Sequence, residues 1–268
     1  MQKDKSLDYR PTISIVTVTY NSAEFIEECI KSVASQIYKN VEYIIIDGDS
    51  TDGTLDIIKK YYKLGIVTKY VSEKDNGIYD AMNKGIDLAT GDVIGFLNSD
   101  DKYADERVLE DVATEFMKIG ADFVYGDLIY VKRNKNVPIR FWRVGDVNLR
   151  KLKYGWQICH PTFFVKTNIA KAVRYDLTYR IASDYDFILR ILKQTERYAY
   201  IRRPLVMMRF GGTSTKSLRA MVLLNKENMT IMKRNGFQPS KLYFFYRFST
   251  RLMQLLQATK LRFTGWKR

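Results

Sequence analysis

Two cysteines and one histidine are all that 268 residues offer in thiol and imidazole ligands. That excludes a structural zinc site, which takes four such side chains. It also excludes a disulfide framework: Cys29 and Cys159 lie far apart, neither belongs to a CxxC pair, and both read as buried, reduced thiols. No apolar run approaches the roughly 20 residues that span a bilayer. The opening MQKDKSLDYRP has no apolar signal core, so the expected location is the cytoplasm. No GxGxxG follows the first apolar run and no GxxxxGK[ST] occurs, which removes dinucleotide and P-loop binding. Without a GxSxG there is no serine-hydrolase elbow. Acids are missing from one region. Asn228 to Arg268 holds nine Lys/Arg and no Asp/Glu, so most of the formal net charge of +14 is a property of the C-terminal part. A nucleic-acid-binding domain would spread its positive charge over the folded face, and no nucleic-acid partner is expected.

What is present describes a folded α/β chain. ISIVTVTY (13–20) is β-branched and apolar on both faces, as a strand covered by helices should be. SAEFIEECIKSVASQ (22–36) follows with Phe25, Ile26, Cys29, Ile30 and Val33 at helical spacing and Ser22 as the expected cap. VEYIIIDGD (41–49), IVTKYVS (66–72) and DVIGFLN (92–98) read as further strands. The helices STDGTLDIIKKYY and GIYDAMNKGIDLA alternate with them. This alternation predicts a doubly wound, Rossmann-like, mostly parallel central sheet flanked by helices. A helix at about 105–119 precedes strands within 122–133 and 137–144. KLKYGWQICHPTFFV is less regular, SDYDFILRILKQT (183–195) is an amphipathic helix, and 198–210 is extended. GGTSTKS reads as a flexible loop, and two helices are expected at 216–234 and 240–262.

In such sheets ligands bind beyond the carboxyl ends of the strands. Polar residues gather at those ends: Thr19-Tyr20-Asn21, Asp47-Gly48-Asp49, Glu73-Lys74-Asp75 and Asn98-Ser99-Asp100-Asp101. Oxygen-rich clusters of this kind suit Mg²⁺ or Mn²⁺, which often hold phosphate oxygens too.

These segments carry a resemblance. VTYN (18–21), IIIDGDSTDGT (44–54), DNGIYDAMNKGIDLATGD (75–92), FLNSDD (96–101) and SDYDFILRI (183–191) are similar, in order and spacing, to family 2 glycosyltransferases of the GT-A fold. They are closest to the bacterial branch that builds O-antigen and other surface polysaccharides. The resemblance implies a GT-A catalytic domain at 11–215, with a nucleotide-binding half at 11–101 and an acceptor-binding half at 102–215. Residues 1–10 form an N-terminal extension, and 216–268 form C-terminal helices ending in a basic amphipathic tail. The implied reaction is inverting transfer of a hexosyl or N-acetylhexosaminyl group from a nucleotide-diphosphate donor, a UDP-sugar, to a hydroxyl of a lipid-linked glycan.

The resemblance also places roles. Asp100 matches the metal-binding acid and Asp101 its supporting neighbour, with Asn98 standing where the family motif has its first acid. Asp47 matches the residue that hydrogen-bonds the base, with Thr19 and Tyr20 across the pocket. Asn21, Asp49, Asp75, Asn83 and Ser99 line the donor side, and Lys84 reads as a solvated helix lysine. Asp184 matches the catalytic base at a helix start, where the helix dipole favours ionisation. His160 fits either the metal shell or a structural place between apolar flanks. Arg209, opening RFGGTS, is placed to neutralise the diphosphate.

KLYFFYRFSTRLMQLLQATKLRFTGWKR (241–268) interleaves aromatics and leucines with cations and no acid. That composition suits an interfacial helix on an anionic leaflet, at the inner face of a bacterial plasma membrane. The alternative is a helix packed on its own domain or on a dimer partner. A nucleotide-sugar-binding protein without transfer would lack the base that Asp184 supplies. A nucleotidyltransferase would need a glycine- and lysine-rich activation loop near the first strand, and the sequence has none.

Overall fold

Ile13–Thr19 is buried along its whole length, which a β-branched run achieves inside a sheet covered on both faces. This strand, β1, pairs in parallel with β2 (Val41–Asp47) and β4 (Val93–Phe96), and β3 (Lys69–Ser72) extends the β2 edge in parallel. The crossovers are helices α1 (Ile26–Ala34), α2 (Thr54–Lys63) and α3 (Ile78–Leu88). Register fixes the site: Thr19 lies beside Asp47, and Asp47 beside Ser72, so the polar strand ends form one row. The computed structural model describes residues 10–133, 137–211 and 218–264. The 212–217 part of the expected flexible loop, the 215/216 boundary and residues 1–9 lie outside them.

The same sheet continues through the second half. The two-residue β5 (Lys102–Tyr103) precedes α4 (Val108–Ile119), β6 (Phe123–Val131) and β7 (Pro138–Trp142). Then follow α5 (Leu149–Leu152), a 3₁₀ turn at His160–Thr162, β8 (Phe163–Lys166), α6 (Thr167–Val173), α7 (Ser183–Leu192) and β9 (Tyr198–Arg209). The order across the sheet is β3-β2-β1-β4-β8-β6-β9-β5, with β7 paired to β6. Along that path only β8 and β5 run against the rest, so the sheet is mostly parallel, as expected. Neither β8 nor β5 is legible in sequence. β8 has four residues straight after a proline-containing turn, too short for any periodicity to show.

One local expectation is corrected. Helix α1 starts at Ile26, not at 22, and Ser22 is not its side-chain cap. Ser22 instead accepts from the backbone N–H of Phe25 and Ile26 at 2.9 and 3.0 Å through its carbonyl. The C-terminal helices α8 (Leu218–Arg234) and α9 (Tyr243–Thr264) pack against the rest of the chain. Ile231 and Met232 of α8 pack with Tyr185 and Leu189 of α7. Tyr243 joins that cluster, and Ala258 is buried against Ile129, Val131 and Phe141.

β4 is joined to β8 through Gly95, which lies opposite Phe164. A Cβ on Gly95 would stand 2.5 Å from the Phe164 ring, so the ring needs the glycine. Gly95→Ala should lower stability by about 1–3 kcal/mol, the usual range for overpacking a filled core. Urea unfolding would show this, and Phe164→Leu in the same chain should recover part of the loss. An unchanged midpoint would contradict the packing.

Candidate active site

The row of strand ends is braced before any ligand arrives. Asp47, fully buried, uses both carboxylate oxygens on its own neighbours. It accepts from the Ser50 N–H at 3.1 Å, from the Ser50 hydroxyl, and from the Ser72 hydroxyl at 2.7 Å. Asn21 and Asp49 take left-handed backbone, at φ 49° and 67°. The first suits Asn, whose short amide bonds locally. Its N–H donates to the Ser50 hydroxyl at 2.8 Å and its Oδ1 accepts from the Thr51 N–H at 2.9 Å. The two turns therefore hold each other. Tyr20 is 65% exposed beside Gly48. A Cβ on Gly48 would stand 2.7 Å from the Asp75 carboxylate and 3.5 Å from the Tyr20 ring, so both side chains flank that glycine. The Asp75 carboxylate also accepts from the Gly77 N–H at 2.9 Å. Thr19 Oγ1, buried at the same row, has no hydrogen-bond partner among the described residues. A buried hydroxyl left so costs roughly 1–3 kcal/mol, which a polar group brought to it would remove.

The second cluster is the turn after β4. Asp101 is fully buried. Its carboxylate accepts from Asn98 Nδ2 at 3.0 Å and from the Arg209 backbone N–H at 3.2 Å. Burial pushes its pKa well above the ordinary carboxylate range, and the Asp100 charge adds to the shift against these two donors. Asn98 is thus the clamp on Asp101, donating to it without adding a charge beside Asp100. Ser99 is buried with its hydroxyl on Ser22 at 2.9 Å. Asp100 is half-buried at the tip of the turn. Arg209 is not aimed at the cleft as a free cation. Its guanidinium donates to the Asp100 carbonyl at 2.6 Å and the Arg133 carbonyl at 3.2 Å, and pairs with Glu28. It also lies over the Phe25 ring at 4.8 Å. Burial alone would raise the Glu28 pKa, but Lys102 and Arg209 outweigh it and hold Glu28 below its usual range.

A divalent cation fits this turn. Asp100 presents hard oxygen beside a carboxylate whose charge burial disfavours, and a nearby cation would relieve both. Among the described residues no group of three His, Cys, Asp or Glu could hold a metal. Phosphate oxygens and water would therefore supply most of the shell, as is usual for Mg²⁺.

Asp184 stands at the start of α7, half-buried. Burial pushes its pKa up to about 6, against the Tyr185 N–H and the Tyr79 hydroxyl, which favour the charged form. The Tyr185 N–H donates at 2.9 Å and the Tyr79 hydroxyl at 3.2 Å. That hydroxyl also reaches the Ile181 carbonyl at 2.6 Å, so its single proton serves either acceptor. Glu227 on α8 fixes the loop beneath, accepting from the N–H groups of Arg180, Ile181 and Ala182 at 2.9, 2.9 and 3.0 Å. Asp186 faces away, bonded to Arg190 at 2.6 Å.

Two expected ligand contacts have other work. Asn83 is buried with its amide bonded both ways to the Tyr175 backbone, at 3.0 and 2.9 Å. It clips α3 to the segment after α6 rather than reaching a nucleotide. His160 is buried against Phe96, its Nε2 2.7 Å from the Tyr175 hydroxyl. Burial lowers its pKa to about 4. Of the two readings left open by sequence, the ring's surroundings are those of a neutral, structural histidine. Lys84 pairs with Glu73 at 2.7 Å.

The profile of glycosyl transferase family 2 matches residues 14–182. The chain belongs to glycosyltransferase family 2. It is similar to a PGL/p-HBAD biosynthesis glycosyltransferase of Mycobacterium bovis, 36% identical over 183 residues that cover 67% of this chain and 69% of that one. Among solved structures, Staphylococcus aureus TarS residues 1–349 in complex with UDP superposes with a TM-score of 0.66 at 19% identity, over 95% of this chain and 72% of that one. A mannosyltransferase of Pyrobaculum calidifontis, in complex with GDP-Man and Mn²⁺, superposes at 0.64 and 16% identity, over 97% and 77%. These two likenesses establish the GT-A-like fold.

In this glycosyltransferase the family match ends at residue 182, two positions before Asp184. The supports of Asp184 were missed by sequence reasoning. Neither Tyr79 nor Glu227 stands out by pattern in the sequence; only the tertiary contact gives either a role. Tyr79→Phe should raise the Asp184 pKa above about 6, and Glu227→Gln should lower it, because the Glu227 charge opposes ionisation. Carbon NMR titration of the Asp184 carboxyl checks both directions. An unmoved titration in Tyr79→Phe would remove the hydrogen bond from the account.

Proposed function

We propose that this family 2 enzyme moves a sugar, with inversion, from a nucleotide-diphosphate donor to a hydroxyl of a lipid-linked glycan acceptor in surface-polysaccharide synthesis. The observation that carries the reading is Asp184: a half-buried carboxyl tuned to about 6 and oriented by Tyr79. A general base works best with a pKa near the operating pH. In the ionised form Asp184 takes the acceptor hydroxyl's proton as that oxygen attacks the anomeric carbon. The Tyr79 hydroxyl can donate to the carboxylate before transfer and turn to the Ile181 carbonyl once the acid is protonated.

On the donor side, Tyr20, Gly48 and Asp75 receive the base, and Thr19 Oγ1 meets one of its polar atoms. The donor is a UDP-sugar in this reading. Asp100 would hold Mn²⁺ or Mg²⁺, which when bound neutralises charge developing on the diphosphate leaving group. Asp101, Asn98 and Arg209 hold the turn that presents Asp100.

No helix among the described residues is long and apolar enough to cross a membrane. The outward side of α9 nevertheless exposes Phe245, Phe248, Leu252 and Leu256, one stripe at helical spacing. This stripe is placed to rest on an anionic leaflet, beside a lipid-linked acceptor.

Asp184→Asn should keep donor binding while transfer falls by about 10²–10⁴. Wild-type kcat should rise with pH through about 6 and then level off, because only the ionised carboxylate accepts a proton. The fold should lose stability from this group across the same span, from 3.8 to about 6, since burial favours the protonated acid. Full transfer by Asp184→Asn, or a flat pH profile, would reject the base assignment. For the membrane face, the triple variant Phe245→Ser, Phe248→Ser, Leu252→Ser should unfold normally but no longer sediment with anionic vesicles. Sedimentation equal to wild type would reject that surface.

A further inference from the structure

The inward side of α9 is as distinctive as its outward stripe. Arg247, Arg251, Gln254 and Ala258 recur at helical spacing, and Ala258 packs against Phe141 of β7. Arg140 of β7 meets them, its Nε donating to Gln254 Oε1 at 2.5 Å while its guanidinium lies over Tyr130 at 4.7 Å and Trp142 at 5.1 Å. Arg247 donates to the Tyr243 hydroxyl at 2.9 Å, and its stem fills the space above Gly155, where a Cβ would be 2.5 Å from Cγ. All three arginines are half-buried. Among the described residues none of them is ion-paired with a carboxylate, whereas Arg174, Arg190, Arg203 and Arg209 each have one. Their polar neighbours are an amide and phenols. Burial, then the charges of Arg247 and Arg140, lowers the Arg251 pKa below its usual value.

Arg247 and Arg251 are i,i+4 neighbours on α9, and Arg140 bonds Gln254, three residues beyond Arg251. Three like charges thus share one region without an acid and oppose one another. A fold optimised for stability alone would place a carboxylate or an apolar side chain among them. We propose that Arg140, Arg247 and Arg251 form a binding site for a phosphate or diphosphate ester, seated between β7 and α9. Planar guanidinium forks bind phosphate oxygens in pairs, and the stacked Tyr130 and Trp142 hold the Arg140 fork in place. The position also has meaning. The Tyr130 ring that supports Arg140 contacts Phe210 at 6.4 Å, next to Arg209, whose guanidinium holds the Asp100 carbonyl. The site is therefore one ring removed from the diphosphate end of the cleft. Two sources share this chemistry: the diphosphate joining an acceptor glycan to its lipid, and the phosphodiester of a bilayer headgroup. The site itself rests on none of the transfer residues; only the first source depends on the acceptor reading above.

The test uses the full chain with chelator present and inorganic pyrophosphate as probe, read by thermal unfolding. Pyrophosphate should raise the wild-type Tm. Arg251→Gln should melt higher than wild type without ligand, because repulsion is relieved, and bind pyrophosphate roughly ten- to hundredfold more weakly. Arg140→Gln should weaken binding similarly, and Arg251→Lys should retain part of it. Phosphatidylcholine vesicles with and without phosphatidylglycerol separate the sources. Loss of pyrophosphate binding in Arg251→Gln supports the soluble diphosphate, and loss of phosphatidylglycerol-dependent sedimentation alone supports the headgroup. Either result upholds the site. If Arg251→Gln matches wild type in both assays, the site is overturned.

Discussion

The carboxyl edge of the sheet depends on how one buried carboxylate is held. Asp101 has no exposure to water, and its neighbour Asp100 carries like charge. Donors from two distant parts of the chain make it tolerable: Asn98 within the turn and the Arg209 N–H at the end of β9. The Arg209 side chain then fastens the Asp100 carbonyl and ties back to Glu28 on α1. One arginine thereby joins the parallel half of the sheet to the mixed half, and presents Asp100 at the tip of a rigid turn. Rigid presentation matters because catalytic and metal-binding groups tolerate little displacement.

The other pole, Asp184, is built on the same plan from other elements. Its charge state is set by burial, its orientation by Tyr79 of α3, and the loop before it by Glu227 of α8. Asn83 locks α3 to the Tyr175 segment, so the helix that carries Tyr79 cannot drift. Both poles therefore depend on parts of the chain beyond the family match at 14–182. Helix α8 packs on α7 and supplies Glu227 to the loop before Asp184.

Much of this was legible in the sequence where local pattern and final environment agree. β1, β2 and α7 show their period plainly, and the polar residues at the strand ends do lie in one row. Asp100, Asp101 and Asp184 come from the family motifs, and their surroundings suit the roles those motifs imply. Legibility failed where a side chain's role depends on a partner far away in the chain. Arg209 looks like a loop cation and is a brace. Asn83 looks like a ligand contact and is a clip. Asn98 looks like a weakened motif acid, yet its amide donates to Asp101 without adding a charge. β8 was missed because four apolar residues carry no period. Along the described part of α9, Phe245, Phe248, Leu252 and Leu256 are exposed while Ala258 is buried against Phe141, a division that only the packing reveals.

The central claim is that Asp100, held by a neutral clamp at Asn98 and a buried partner at Asp101, is the protein's cation ligand, while His160 is structural. Anomalous diffraction from crystals grown with Mn²⁺ and UDP addresses it most directly. The account predicts a manganese peak about 2.0–2.3 Å from an Asp100 carboxylate oxygen, completed by diphosphate oxygens and water, with the His160 ring still on Tyr175. A peak coordinated by His160 and not by Asp100 would contradict it.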